Sequence, residues 1–358
     1  MQPADESPVV FEEVSPYGTL MAVVEDDGSA VYLHLVGPEG SDFETRSVWV
    51  RNRRPAPMGL EPDWQSRGSG PPLPFDACTH PVGLPALRVE RLNAVWFPEG
   101  DAVALREGDD VLAVLPPWAG RDGCPGFARD CRTVTPLAWP LRQPGRDSPI
   151  LARLDEAMRY WDSWQRGEPW PELQRGLVEA YGRAFGPHTR YYTIDASKWP
   201  PRFLTEHVAD GRTVCLTGGM SLRPQPQVDR YYENPAAVRH VELALSVPGS
   251  VDSAVMNHLS QLCAMPWHMN AWLAPGHTVP ARGLPGPFSW FLVRDDTTPT
   301  SLPDLLSRGE PVNLLWLLPI TESERDYAVA EGSEALLERL DAAGIGRAHP
   351  SVDRASVA

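Results

Sequence analysis

Four groups of residues have types and spacings that could do chemistry. Cys78-Thr79-His80 with Cys124 and Cys131 would offer soft and borderline ligands to zinc. A structural zinc site wants its cysteines paired two to four residues apart, and Cys124 and Cys131 have six residues between them across a Gly/Pro turn. Separate thiols are therefore expected and no metal. His258, His268 and His277 fall within 20 residues and could supply a general base or metal ligands. No acidic residue stands where a zinc-hydrolase helix needs one, and Pro266, Pro275 and Pro280 put the later two in loops, so packing and turn roles are expected. Thr217-Gly218-Gly219-Met220-Ser221 could free backbone amides to cradle an anion. It lacks the Lys-Ser/Thr of a P-loop, and GGMSL is not G-x-S-x-G, so a tight strand exit is the expectation and Ser221 is not read as a nucleophile. The run Glu322, Glu324, Asp326, Glu331, Glu334 and Glu338 could dock a basic protein or form a solvated helix face. No catalytic constellation and no cofactor site emerge; binding has the electrostatic argument.

These residues need elements to hold them. Strands are expected at 189–194, 213–218, 240–247, 288–293 and 312–319, and the unbroken apolar run Leu314 to Leu318 suits a central strand buried on both faces. Ser148-Pro149 caps an amphipathic helix with Ile150, Leu151, Leu154, Met158 and Trp161 on one side. Pro171 opens a second helix through Leu173, Leu177, Tyr181 and Phe185, and the two read as a helical hairpin. A further helix near 251–264 follows. Thr321-Glu322-Ser323-Glu324 fits the reciprocal capping pattern, Gly332-Ser333 breaks that helix, and Leu336, Leu337 and Leu340 stack before Gly344. The last dozen residues read as a frayed tail. Strands alternating with helices predict an α+β fold, a sheet covered by helices on at least one face.

The first part of the chain differs. Two apolar runs flank Asp26-Asp27-Gly28, another strand spans 45–52, a loop runs from Pro55 to about Pro85, and a second β region turns at Glu107-Gly108-Asp109. A boundary near 145 divides a β-rich domain, 1–145, from an α+β domain, 146–346, with a flexible tail at 347–358.

The chain has 358 residues, with 32 Lys+Arg against 47 Asp+Glu, a formal charge of -15. That argues against a nucleic-acid backbone or an anionic membrane and favours a basic or neutral partner. No apolar run approaches the roughly 20 residues of a membrane helix, and the acidic start MQPADE does not suit a signal peptide. Five cysteines, an odd number at irregular spacing, suit reduced thiols in a cytoplasm.

The phrases VCLTGGMSLRP, RHVELALSVP, WLAPGHTVP and VNLLWLLPITESERDYAVAEGSEALLERL, in this order, resemble the suppressor-of-fused domain as found in bacterial proteins. The apolar strand entering Pro-Ile-Thr-x-x-Glu is the most specific of them. The Trp-Pro usual in the middle helix region is not recognisable here; Met265-Pro266-Trp267 stands nearby. The resemblance implies a mixed sheet flanked by helices and a protein-binding module without catalysis. It also implies an immunity-type role, in which a cytoplasmic protein neutralises a basic toxin domain by direct binding. The peptide partner of the animal family member is not carried over, because no matching C-terminal domain is visible. Met220, Ser221, Arg223, His277, Glu322 and Glu324 carry the family pattern and become the candidate partner contacts. The other readings are a hydrolase using the histidines or a Cys/His site, and an adaptor subunit of a larger assembly.

Overall fold

The computed structural model describes residues 9–60, 70–143, 146–195, 200–295, 301–345 and 354–358. The chain divides into two compact units. The first comprises Met1–Arg166 with Asp229–Tyr232 and Trp267–Asn270, and the second comprises the rest. Strands β1 (Val9–Val14), β2 (Met21–Asp26), β3 (Ala30–Val36) and β4 (Arg46–Asn52) form an antiparallel sheet of the first unit in chain order. The β2–β3 turn is the expected one. The Asp27 carboxylate accepts from the amides of Ser29 and Ala30, and Gly28 takes a φ of +77° that favours glycine. The second sheet runs β5 (Leu92–Trp96), β6 (Val103–Glu107), β7 (Asp110–Leu115), β8 (Phe127–Ala128) and β9 (Trp139–Pro140). A two-residue pair, β10 (Arg142–Gln143) and β11 (Arg146–Asp147), completes the β structure of this unit. Both sheets feed one core, in which Leu33, Val48 and Trp49 meet Leu105, Leu112 and Leu115.

Helix α1 (Pro149–Gln165) begins at a Ser148 cap as expected, but it buries Ile150, Leu154, Ala157 and Tyr160 and leaves Met158 exposed. Ile150, Leu154 and Ala157 pack with Phe97, Ala104, Val114 and Leu141. That burial ties α1 to the first unit, and the first break between the compact units falls at 166/167, with α1 in one and α2 in the other. Helix α2 (Pro169–Phe185) opens the second unit.

The second unit is built on one sheet, with β12 (Arg190–Thr193), β13 (Phe203–Ala209), β14 (Arg212–Gly218) and β15 (His240–Pro248) followed by β16 (Thr278–Pro280), β17 (Phe288–Arg294), β18 (Ser301–Ser307) and β19 (Glu310–Thr321). Their spatial order is β12-β13-β14-β15-β19-β17-β16, with β18 also paired to β19, and only β15–β19 is parallel. β19 is the central strand that the run Leu314 to Leu318 predicts, and its residues Leu314 to Thr321 are all buried. Helices α4 (Ser253–Leu262), α6 (Glu322–Glu331) and α7 (Ser333–Ala342) belong to this unit, whereas the single turn α3 (Val228–Tyr231) falls mainly in the first unit and α5 (Met265–His268) is divided between the two. Because strand side chains alternate, β19 serves two layers. Leu318 and Ile320 join Leu336, Leu337 and Leu340 beneath α6 and α7, and Trp316 meets Phe185 of α2. On the other face Phe291 of β17 stacks on His258 of α4. Each of the three α7 leucines contributes about 1.5–3 kcal/mol by leaving water. The whole is α+β, and no helix among the described residues is long and apolar enough to cross a membrane.

Candidate functional site

The Thr217–Ser221 exit from β14 is a cradle that the chain fills itself. At Gly218 a Cβ would lie 2.1 Å from the Phe203 ring, and at Gly219, with φ +99°, it would lie 2.3 Å from the Pro201 carbonyl oxygen. Glycine at both positions lets the loop close, and the freed amides of Gly219 and Ser221 each donate to Glu242 Oε1 at 2.9 Å. Ser221 Oγ donates to the same oxygen at 2.6 Å, while Thr217 Oγ1 donates to Oε2 at 2.7 Å and accepts from the Leu243 amide. The strand exit is tight, as expected, and its freed amides meet an acceptor from within the chain, the side-chain carboxyl of Glu242 on β15, the Glu of HVELALSV. His240 Nδ1 is 2.7 Å from the Ser221 carbonyl oxygen, and the Tyr181 hydroxyl donates to that of Thr217. Met220, Ser221, Arg223 and Glu242 are all buried. Burial pushes the Glu242 carboxyl up, and bonds from Ser221, Thr217 and Gly219 return only part of that rise.

The second carboxylate set is at the start of α6. Thr321 and Glu324 form the full capping box, with Thr321 Oγ1 accepting from the Glu324 amide and Glu324 Oε2 accepting from the Thr321 amide. Glu324 is fully buried, and Arg354 meets it: Nη2 donates to Oε2 at 2.8 Å and to the Pro319 carbonyl oxygen at 3.0 Å. The Val357 amide donates to Glu324 Oε1, and the Arg354 guanidinium lies over the Phe288 ring. Residues 354–358 are therefore anchored and not frayed; 347–353 lie outside the described residues. Burial alone would raise the Glu324 carboxyl, but the Arg354 pair and the Thr321 and Val357 amides hold it below its ordinary value. Glu322, Asp326, Glu331, Glu334 and Glu338 remain exposed along α6 and α7, a solvated acidic face.

The histidines do not converge. Nε2 of His258 bonds the Pro280 carbonyl, Nδ1 of half-buried His277 bonds that of Trp272, and His268 belongs to the other unit. Burial lowers the His277 imidazole, partly offset by the Trp272 carbonyl. Cys78 and Cys131 meet across an isolated β-bridge, while Cys124 sits in a separate cluster. All five cysteines are buried free thiols, and burial pushes Cys124, Cys131, Cys215 and Cys263 up to about 12. Among the described residues no three or more His, Cys, Asp or Glu are grouped to hold a metal ion. Of the six candidate contacts, Met220, Ser221 and Arg223 share the β14 exit, Glu322 and Glu324 share the α6 cap, and His277 is apart from both. Two residues escaped the sequence reading. Gln225 is buried and its amide pairs with both backbone groups of Leu273, and Glu206 is a buried carboxylate of β13. Nothing local marks either one.

The second unit is thus a mixed sheet with helices on both faces, buried carboxylates as internal anchors and exposed carboxylates along α6 and α7. Residues 187–349, just under half of the chain, match the family model described as Suppressor of fused protein (SUFU), and this segment is a SUFU domain. A SUFU domain is a protein-interaction module from a family of binding proteins. Among solved structures, a SUFU homologue from Neisseria gonorrhoeae FA 1090 aligns with TM-score 0.41 at 18% identity, over 52% of this chain and 97% of that one. The Sufu–Fu complex gives TM-score 0.39 and 14% identity, over 52% and 91%. Drosophila Suppressor of Fused gives 0.36 and 12%, over 52% of this chain and 51% of that chain. No curated protein matches the sequence.

Proposed function

We propose that the protein is a non-catalytic, cytoplasmic inhibitor that neutralises a basic toxin domain by binding it. The exposed acidic face of α6 and α7, inside the matched SUFU domain, carries this reading. Glu322, Asp326, Glu331, Glu334 and Glu338 lie on a chain with formal charge -15, so a basic partner would be steered toward them and bound faster at low salt. Of the candidate contacts, Glu322 is exposed and stays in the proposed surface; buried Glu324 holds the surface in place through its bonds to Thr321 and Arg354.

The test is a growth assay in which a basic toxin domain from the same organism is expressed alone, with this protein, and with its E331K/E334K/E338K variant. The wild type should restore growth and the variant should not. Growth arrest unchanged by soluble wild-type protein would overturn the reading.

A further inference from the structure

A cleft of about 450 Å³ lies on the second unit between the β12–β13 hairpin and α4. The register pairs Arg190 with Glu206 and Tyr192 with Leu204, so these four side chains share one face of the hairpin. The sheet ends at β12, and the cleft opens between this face and the outward side of α4.

At its base is Glu206, whose side chain is 8% exposed. Its Oε1 accepts from the Tyr192 hydroxyl at 2.8 Å. Among the described residues no hydrogen bond reaches Oε2, and the nearest cation is Nε of Arg190 at 3.9 Å. Arg190 is 66% exposed on the rim, a loose stand-in that solvent can replace. As part of the cleft lining, Oε2 can exchange solvent and its loose Arg190 contact for a charged donor that enters the cleft. The walls suit a cation on an aliphatic stem: Leu204, Ile194, Val251 and Met256 are apolar, and Ser253, Asn257 and Ser260, one stripe of α4, add polar acceptors. The volume is within the range of ligand sites and exceeds one long side chain.

We propose that this cleft receives a lysine or arginine side chain from the protein partner, with its charged head on Glu206 Oε2. The proposal rests on the binding-protein reading for the identity of the occupant, but the cleft chemistry stands by itself.

The probe is Nα-acetyl-arginine amide titrated into the full chain and followed by amide chemical shifts, with Nα-acetyl-citrulline amide as the uncharged control. Shifts should concentrate on residues 190–194, 204–206 and 251–260 with the arginine probe only. E206Q, which keeps the acceptor for Tyr192, should weaken binding about tenfold or more, as expected for loss of a charge-assisted bond. N257W, an exposed α4 change that fills the cleft without touching Glu206, should abolish it. Shifts spread over the acidic α6 and α7 face, equal binding of citrulline, or unchanged affinity in folded E206Q and N257W would overturn the proposal. If both variants lose the probe yet still restore growth in the toxin assay, the partner does not use the cleft and the inhibitor reading survives alone. If the probe binds as described but wild-type protein never restores growth, the inhibitor reading fails and the cleft remains.

Discussion

At the scale of single residues, Glu242 and Glu324 are both fully buried carboxylates with opposite proton linkage. Glu242 titrates above its ordinary value, so the native state binds more protons than the unfolded chain once pH passes about 4.3, and stability falls as pH rises toward the native value. Glu324 titrates below its ordinary value. Its contribution is complete above about pH 4.3 and is lost as pH falls through the native value. Urea unfolding between pH 3 and 8 should show E242Q with less decline on the alkaline side and E324Q with less decline on the acid side; identical profiles for both variants would refute the assignment. E242Q should cost about 1–2 kcal/mol, because Thr217 Oγ1 can turn its proton toward Met220 Sδ, 3.8 Å away, and accept from the new amide. E242A should cost about 3 kcal/mol or more, since it strands the buried donors of Gly219, Ser221 and Thr217.

At the scale of elements, the β14 exit ties α2 to the sheet through the Tyr181–Thr217 bond, and the α6 cap joins β19 to its following helix. G219A should cost about 2–3 kcal/mol through its positive φ and the Pro201 oxygen, read as a lower urea midpoint with unchanged slope. R354A should free residues 354–358 and cost about 2–4 kcal/mol by leaving Glu324 buried without its cation; unchanged amide exchange at Val357 would contradict this. Local signals carried much of this into view. The capping box at Thr321, the turn at Asp26-Asp27-Gly28 and the apolar run of β19 are each written within a few neighbouring residues, and each formed. β13 was not foreseen because Thr205, Glu206 and His207 interrupt its apolar pattern. They are buried with distant partners, as His207 with the Gly186 carbonyl and Glu206 with Tyr192. The candidate site was legible to the same extent. The glycine loop and the Glu of HVELALSV each drew notice as family phrases, but the bonds joining them span 21 to 25 residues and leave no local mark. The α1 face was read correctly at Ile150, Leu151, Leu154 and Trp161 and misjudged only at Met158: Met158 and Ala157 are neighbours, and only the sheet above them decides which is buried.

At the scale of the whole molecule, the charge of -15 and the exposed carboxylates of α6 and α7 support the function proposed above, in which a basic protein partner is recognised electrostatically. The most direct measurement is affinity capture from the organism's own extract by the wild type and by E331K/E334K/E338K, at low and high salt, with mass-spectrometric identification. The account predicts one basic protein held by the wild type, released as salt rises and missing from the triple variant. Capture of the same proteins by both forms at both salts would contradict it.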